Sequence, residues 1–205
     1  MVRKTKEESG KTRNELIEAA RVVFHQCGVS RSTFDKIAKE AGVTRGAVYW
    51  HFKDKAELFF AMREHVLEQA VKDADSVLLS ESFQNPLDAI EASLLGFFHA
   101  IHDRKEIREV LEIMISRCEY VKEFSCVQDE ISRSANDFLE KIISIYKIAQ
   151  ERNMLREEFD PIALAYDTWA FTSGVLQMVL KCRLKEFSPD LIKQLVQNHI
   201  ALRRT

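Results

Sequence analysis

Residues 32–52 read STFDKIAKEAGVTRGAVYWHF. Two short apolar-periodic stretches flank a glycine. Phe34, Ile37, Ala38 and Ala41 share one helical face behind Ser32-Thr33, either of which can cap it. Ala41-Gly42-Val43 breaks the chain tightly, and Thr44 caps a further short helix through His51 or Phe52. This is the helix-turn-helix pattern. Ala38 is small where the helices cross, Gly42 takes the turn, and Val48 packs the second helix down. Thr44, Arg45, Gly46, Tyr49 and Trp50 are left facing outward.

An outward face of that kind fits the B-DNA major groove, which admits one α-helix. Arg45, near the helix start, can donate two bonds to guanine O6 and N7. Thr44 and the open amides beside it suit a phosphate. Gly46 lets the backbone come close. Tyr49 offers a hydroxyl to phosphate and a ring to a thymine methyl, and His51 and Lys55 fit flanking phosphates.

Helix signals continue on both sides. Upstream, Leu16, Ala20, Val23, Phe24 and Cys27 form one face, ended by Cys27-Gly28. Downstream, Leu58, Met62, Val66, Ala70 and Val77 predict a long helix from about Lys55 to Ser80. Asn85-Pro86, Asp160-Pro161 and Ser188-Pro189 each place a capping residue before proline and predict three helix starts. Asp103 with Glu106 resembles a capping box and opens another helix, with Ile107, Val110, Leu111, Met114 and Ile115 inward. A long helix is expected over Tyr120 to Asn153. Pro161–Lys181 is apolar on most sides and expected to be buried on most sides. Its small residues Ala163, Ala170 and Gly174 allow close approach of another helix. Intrachain packing is one reading of them. A subunit contact is preferred, because this helix and Pro189–Leu202 have few other partners.

Composition bounds the rest. The 205 residues are 46% hydrophobic and 30% charged, with three prolines and six glycines, which argues against an all-β chain. The longest run without Asp, Glu, Lys or Arg is Thr168–Leu180, too short to span a bilayer. The charged start carries no apolar run, so no secretory signal and a cytoplasmic location are expected. Residues 1–55 hold 12 Lys and Arg against 7 Asp and Glu, whereas the remaining 150 hold 18 against 25. A basic head on an acidic body suggests a polyanion partner for the head. Cys27, Cys118, Cys126 and Cys182 lack zinc-finger or redox-motif spacing and read as small buried hydrophobes. His99, His102 and Glu106 invite a metal reading, but His99 falls in an apolar stripe and reads as a core histidine or pocket donor. No hydrolase, nucleotide or metalloprotease motif occurs, and neither an enzyme, a cofactor nor a metal is implied.

The tract Gly42 to Phe59, GVTRGAVYWHFKDKAELF, resembles the signature of the TetR family of repressors. The opening Val2-Arg3-Lys4-Thr5-Lys6-Glu7-Glu8 and the Tyr49-Trp50-His51-Phe52 tract look most like its AcrR-type multidrug-efflux regulators. The resemblance implies an all-α, nine-helix TetR-like fold. Residues 1–54 would be a three-helix DNA-binding domain, and 55–205 a larger ligand-binding and dimerisation domain. It also implies a homodimer through the last two helices, a palindromic double-stranded operator, and release by a small lipophilic ligand, cationic or aromatic. Family DNA contacts carry over to Thr33, Thr44, Arg45, Gly46, Tyr49, His51 and Lys55. For Trp50 two readings stay open, a ring packed on the helix-turn-helix core or one set against DNA. Arg3, Lys4 and Lys6 form either a DNA-binding arm or a solvated tail.

Placed on the same helix pattern, Ser93, Phe97, Leu111, Ile115, Phe138, Trp169 and Ser173 are the pocket candidates. Glu112, Glu119, Asp137 and Asp167 could favour cations, or lie on solvated faces. Two alternatives remain at this point. One is a TetR-type regulator of metabolism or oxidative stress, with a lipid or a thiol oxidant as signal. The other is a non-catalytic helical small-molecule or protein-interaction module.

Overall fold

The computed structural model describes residues 6–120, 124–181 and 188–205, apart from the side chains of 6–8 and 126. Nine α-helices follow one another among the described residues: α1 (Lys6–Cys27), α2 (Phe34–Glu40), α3 (Arg45–His51), α4 (Lys55–Leu78), α5 (Pro86–Asp103), α6 (Lys105–Glu112), α7 (Ser125–Glu151), α8 (Pro161–Lys181) and α9 (Pro189–Ala201). A π-helical turn, Ile113–Arg117, extends α6. One bridge pairs Leu155 with Arg204 outside the helices. The arm residues Arg3 and Lys4 and the side chain of Lys6 lie outside the described set, as do the side chains of Cys126 and Cys182.

The helix starts follow the local chemistry. Asn85 Oδ1 accepts from the Leu87 amide at 2.9 Å, Asp160 Oδ1 from Ala163 at 2.8 Å, and Ser188 Oγ from Leu191 at 3.2 Å. Each satisfies an amide that the first helical turn leaves open, and proline at the first position wastes none. Gly28 and Gly42 sit at φ +78 and +67, the left-handed region that side chains disfavour, and each turns the chain between helices. The expected capping box at Asp103 is absent. Asp103 belongs to the last turn of α5, and extended Arg104 (φ −115, ψ 102) is the only break before α6.

The chain gathers into two compact units, residues 1–68 with 106–129, and residues 69–105 with 130–205. The first is built on α1. Leu16, Ile17, Ala20 and Phe24 from α1, Ile37 and Ala38 from α2, Val48 from α3, and Leu58, Phe59 and Met62 from α4 are all buried. Helix α6 belongs to this unit. Arg21 pairs with Glu109, His25 Nε2 lies 2.8 Å from Glu112 Oε2, and the Val29 amide donates to the Arg117 carbonyl at 2.9 Å. Burial works to raise the Glu112 carboxyl. The bonds from His25 and Arg108 outweigh it and hold the group below the usual carboxylate range. Ile107, Val110 and Leu111 point inward as expected, but Met114 and Ile115 are only half-buried and Ile113 is fully buried instead. Bonds in the π turn run i to i+5, so the 3.6-residue register stops there.

In the second unit α9 packs on α5, burying Ile192, Val196 and Ile200. A polar network joins α7, α8 and α9. The buried Tyr146 hydroxyl and Thr168 Oγ1 are 2.8 Å apart. His199 stacks on Phe171 at 3.8 Å and 12°, and its Nε2 lies 2.9 Å from Arg203 Nη2. Arg203, itself buried, pairs with Asp167. Helix α8 departs from expectation. Leu164, Ala165, Thr168, Thr172 and Val175 are buried, but Ile162, Ala163, Tyr166, Trp169, Ala170, Gly174 and Met178 face solvent. One chain supplies partners for one side of this helix only.

Burial first, and the Arg203 charge second, push His199 down to about 4 from its ordinary 6.5. An unfolded His199 takes up a proton near pH 6.5, whereas the folded one stays neutral until about pH 4. Protons therefore favour unfolding across that window, and stability is lost as pH falls through it. His199→Gln keeps a hydrogen-bonding side chain that does not titrate. Its melting temperature, followed by circular dichroism, should fall less than that of the wild type between pH 6.5 and 4. Equal falls would place the acid sensitivity on other groups.

Candidate nucleic-acid interface

Helix α3 has seven residues, and both its ends are held locally. Thr44 at the N-cap is extended (φ −78, ψ 153) and its Oγ1 accepts from the Ala47 amide at 3.3 Å. Phe52 at the C-cap is buried and donates its amide to the Val48 carbonyl at 2.9 Å. Thr33 does the same service for α2, accepting from the Lys36 amide at 3.3 Å. The two threonines thus cap adjacent helices, and both stay exposed.

Val48 is the only fully buried side chain of α3, so the rest of the helix turns outward around it. Arg45, Gly46, Tyr49 and Trp50 are exposed together with Thr44. Trp50 is 81% exposed, which removes the reading of its ring as part of the helix-turn-helix core. A Cβ on Gly46 would meet only Thr44 Oγ1 at 3.8 Å, an ordinary contact. Tyr49 packs edge-on against Phe34 of α2, with ring centres 4.9 Å apart at 74°. Arg45 Nη2 donates to the Tyr49 hydroxyl at 3.2 Å, and Arg45 Nη1 stands 3.2 Å from Asp35 Oδ2. The Tyr49 bond first, and Asp35 second, hold the Arg45 guanidinium still more firmly charged. Residue types and spacing marked Arg45 and Tyr49 as site residues. They did not mark Asp35, whose relation to α3 depends on how α2 and α3 cross.

His51 is half-buried, its ring 6.4 Å from that of Phe52. Lys55 differs from the other DNA candidates. It is half-buried, its Nζ donates to the Val29 carbonyl at 3.3 Å, and it lies 5.8 Å from the Phe124 ring centre. Its ammonium ties the start of α4 to the turn between α1 and α2.

The pocket candidates are more dispersed. In the second unit, Phe138 and Trp169 pack at 5.9 Å, and Phe97 lies against Phe98 at 5.4 Å. Ser93 is buried and donates to the Ala74 carbonyl at 3.0 Å, while Ser173 is half-buried. Leu111 is buried and Ile115 half-buried in the first unit. A cavity of about 150 Å³ lies in the first unit, lined by Cys27, Gly28, Ser30, Arg31, Ser116, Arg117, Cys118 and Glu119, and none of the seven candidates lines it. Cys27 and Cys118 are thus half-buried reduced thiols rather than core residues. Burial, then Glu119, pushes the Cys118 thiol up to about 11. Glu119, Asp137 and Asp167 are exposed, the last paired with Arg203, and Glu112 is taken up by His25 and Arg108.

His99 is exposed rather than part of the core, at a small cleft that it lines with His102 and Lys193. Among the described residues, no three His, Cys, Asp or Glu side chains stand together as a metal site. No helix among them is long and apolar enough to cross a membrane.

A capped, outward-facing second helix in a helix-turn-helix, carried by a chain whose other elements are also α-helices, is the arrangement of a helix-turn-helix transcription regulator. Residues 16–62 match the family described as bacterial regulatory proteins, tetR family. The chain is 33% identical over 178 residues to the HTH-type transcriptional repressor BepR of Brucella suis, covering 85% of this chain and 83% of that protein. It is also 33% identical over 177 residues to the HTH-type transcriptional regulator TtgR of Pseudomonas putida, covering 86% and 84%. Among solved structures it is similar to NalD, the secondary repressor of the MexAB-OprM multidrug efflux pump in Pseudomonas aeruginosa. There the TM-score is 0.82 and the identity 28%, over 96% of this chain and 97% of that one. It is similar also to SmeT in complex with triclosan, with TM-score 0.80 and identity 26%, over 95% and 92%. The chain belongs to the TetR family. It is a transcriptional regulator similar to multidrug-efflux repressors, and not an enzyme.

The position of Lys55 has a measurable consequence. A half-buried hydrogen bond of this kind is worth about 1 kcal/mol. Lys55→Ala should lower the unfolding free energy by about that amount in a urea titration. A variant as stable as the wild type would make the bond to Val29 dispensable.

Proposed function

We propose that the chain represses a multidrug efflux operon as a homodimer, binding a palindromic operator and leaving it when a lipophilic drug binds the body. Residues 1–54 are the DNA-binding domain on this reading, and 55–205 bind ligand and dimerise, in the cytoplasm. The observation that carries it is the face Thr44, Arg45, Tyr49 and Trp50, where a tryptophan is 81% exposed. The open ring stands in a contiguous exposed patch with Tyr49 and Arg45, and such patches mark interaction sites. Arg45 reads a guanine edge; Thr33, Thr44, Tyr49 and His51 hold phosphates; Gly46 allows close approach, a freedom its own chain does not demand.

Two further features support the reading. The exposed side of α8 carries Ile162, Tyr166, Trp169 and Met178 around Ala163, Ala170 and Gly174, a largely apolar face on which Asp167 and Gln177 are polar. A second copy would cover it along a two-fold axis. The Phe138–Trp169 pair offers flat apolar surface, and a relative of this fold is described with triclosan, an aromatic ligand. Release is a two-state shift, in which ligand favours a form whose two α3 helices no longer match successive major grooves about 34 Å apart. The thiol-oxidant alternative is weakened at Cys118, whose raised pKa keeps it protonated at neutral pH.

Footprinting the DNA immediately upstream of the gene, with and without lipophilic cationic drugs and dyes, tests the whole reading. A protected palindrome that a drug abolishes is expected. A palindrome that no drug disturbs removes the efflux assignment, and no protection at low salt removes operator binding. Separately, Ala170→Arg should convert a dimer to a monomer in sedimentation and weaken operator binding at least tenfold, with helicity retained. A variant that stays dimeric moves the subunit contact off this face of α8.

A further inference from the structure

Asp35 is an acidic residue in the middle of a face that the proposed function turns toward a polyanion. We propose that Asp35 determines specificity: it holds the Arg45 guanidinium in place between α2 and α3, presenting it to a guanine edge while weakening attachment to DNA of any other sequence. The inference rests on the proposed role of α3 as the recognition helix.

The geometry is a two-sided clamp. Asp35 Oδ2 lies 3.2 Å from Nη1, and the Tyr49 hydroxyl accepts from Nη2 at 3.2 Å, so each terminal nitrogen of one guanidinium is engaged from a different helix. The guanidinium carbon also stands 5.4 Å from the Tyr49 ring centre. Tyr49 is itself steadied by Phe34, the neighbour of Asp35 on α2. Of five guanidinium N–H donors the clamp hydrogen-bonds one, and Asp35 acts on the other terminal nitrogen by charge, which leaves enough for a paired bond to guanine O6 and N7. An unrestrained arginine gives up side-chain freedom when it docks on a base, and one already held gives up less.

In water the ion pair is weak, since Asp35 and Arg45 are 62% and 59% exposed. In a groove that excludes water its strength grows. On DNA lacking the guanine the balance reverses. The carboxylate cancels one positive charge, and the backbone attraction common to all sequences drops by about one phosphate contact. Asp35 therefore lowers attachment to all DNA by about one contact, and only where Arg45 meets its guanine is that loss made good, which is what widens the gap between operator and other DNA.

The test measures anisotropy of two labelled duplexes, the protected upstream site and a scrambled duplex of equal length, at two salt concentrations. The proteins are the wild type, Asp35→Ala, Arg45→Ala and the double variant. Asp35→Ala should lower the operator-to-scrambled ratio by roughly fivefold to tenfold, the scale of one lost base contact. It should tighten binding to the scrambled duplex and steepen its salt slope by about one ion. In the Arg45→Ala background it should lower the ratio no further, because the two residues act through one contact. An unchanged ratio overturns the inference. So does an equal loss on both duplexes, which a merely structural role would give, or a full second loss in the double variant. If the wild type itself shows no salt-dependent DNA binding, the recognition-helix reading fails and takes the inference with it, an outcome visible before any variant is compared.

Discussion

A seven-residue helix does not hold together alone in water, because nucleation fixes several residues for each early hydrogen bond. Helix α3 exists because Val48 is anchored in the core formed by α1 and α2 and because both its ends are capped. The consequence is geometric. With one buried side chain and seven residues, the remaining positions cannot choose their direction. Thr44, Arg45, Gly46, Tyr49 and Trp50 face outward because Val48 faces inward. The interface is a by-product of a packing constraint, and any change that loosens Val48 disturbs every outward residue together.

The same unit extends beyond the helix-turn-helix. Arg21 and His25 lie one turn apart on α1, and Glu109 and Glu112 lie one turn apart on α6, so two pairs meet along one seam. The backbone bond from Val29 to Arg117 closes its end. A rigid helix fastened by several polar contacts to the element that carries α2 and α3 will not shift without straining them. On the proposed reading this makes α6 an element through which the head can be moved. The compact units cut across the functional division expected at residue 54, and the seam explains why. Packing follows contacts, whereas the sequence boundary followed charge and motif.

Legibility in the sequence tracked locality. Caps and turns were readable because Asn85, Asp160, Ser188 and Thr44 act within three residues, and Gly28 and Gly42 act on their own backbone; of Ser32 and Thr33, both open in the sequence, Thr33 is the cap. Val48 was readable because its burial follows from helical period. Asp103 misled because a capping pattern counts only where the chain leaves the helix, and α5 runs through it. Met114 and Ile115 misled because periodicity assumes an α register that the π turn abandons. The internal partner of Lys55, and Asp35 altogether, were beyond reach for another reason. Each of these two residues is defined by a partner on another element, Val29 for one and Arg45 for the other, and spacing along the chain carries no record of that.

Helix α8 shows how far such reasoning extends once the structure is in hand. Its apolar composition predicted burial on most sides, yet one chain buries only one side. That side is the more polar in its bonding to other elements: Thr168 meets Tyr146 of α7, and Asp167 at its edge meets Arg203. Hydrogen bonds with fixed directions set the rotation of a helix more narrowly than apolar contacts do, because a misturned helix leaves buried polar groups unpaired. The network therefore decides which residues are left outside, and among those are Ile162, Tyr166, Trp169 and Met178 around Ala170 and Gly174, with Asp167 and Gln177 as polar members. On the proposed reading, a largely apolar face whose rotation is fixed, with small residues in its middle, suits association of two identical subunits. The polar interior of α8 and its apolar exterior are thus one arrangement, the first orienting what the second presents.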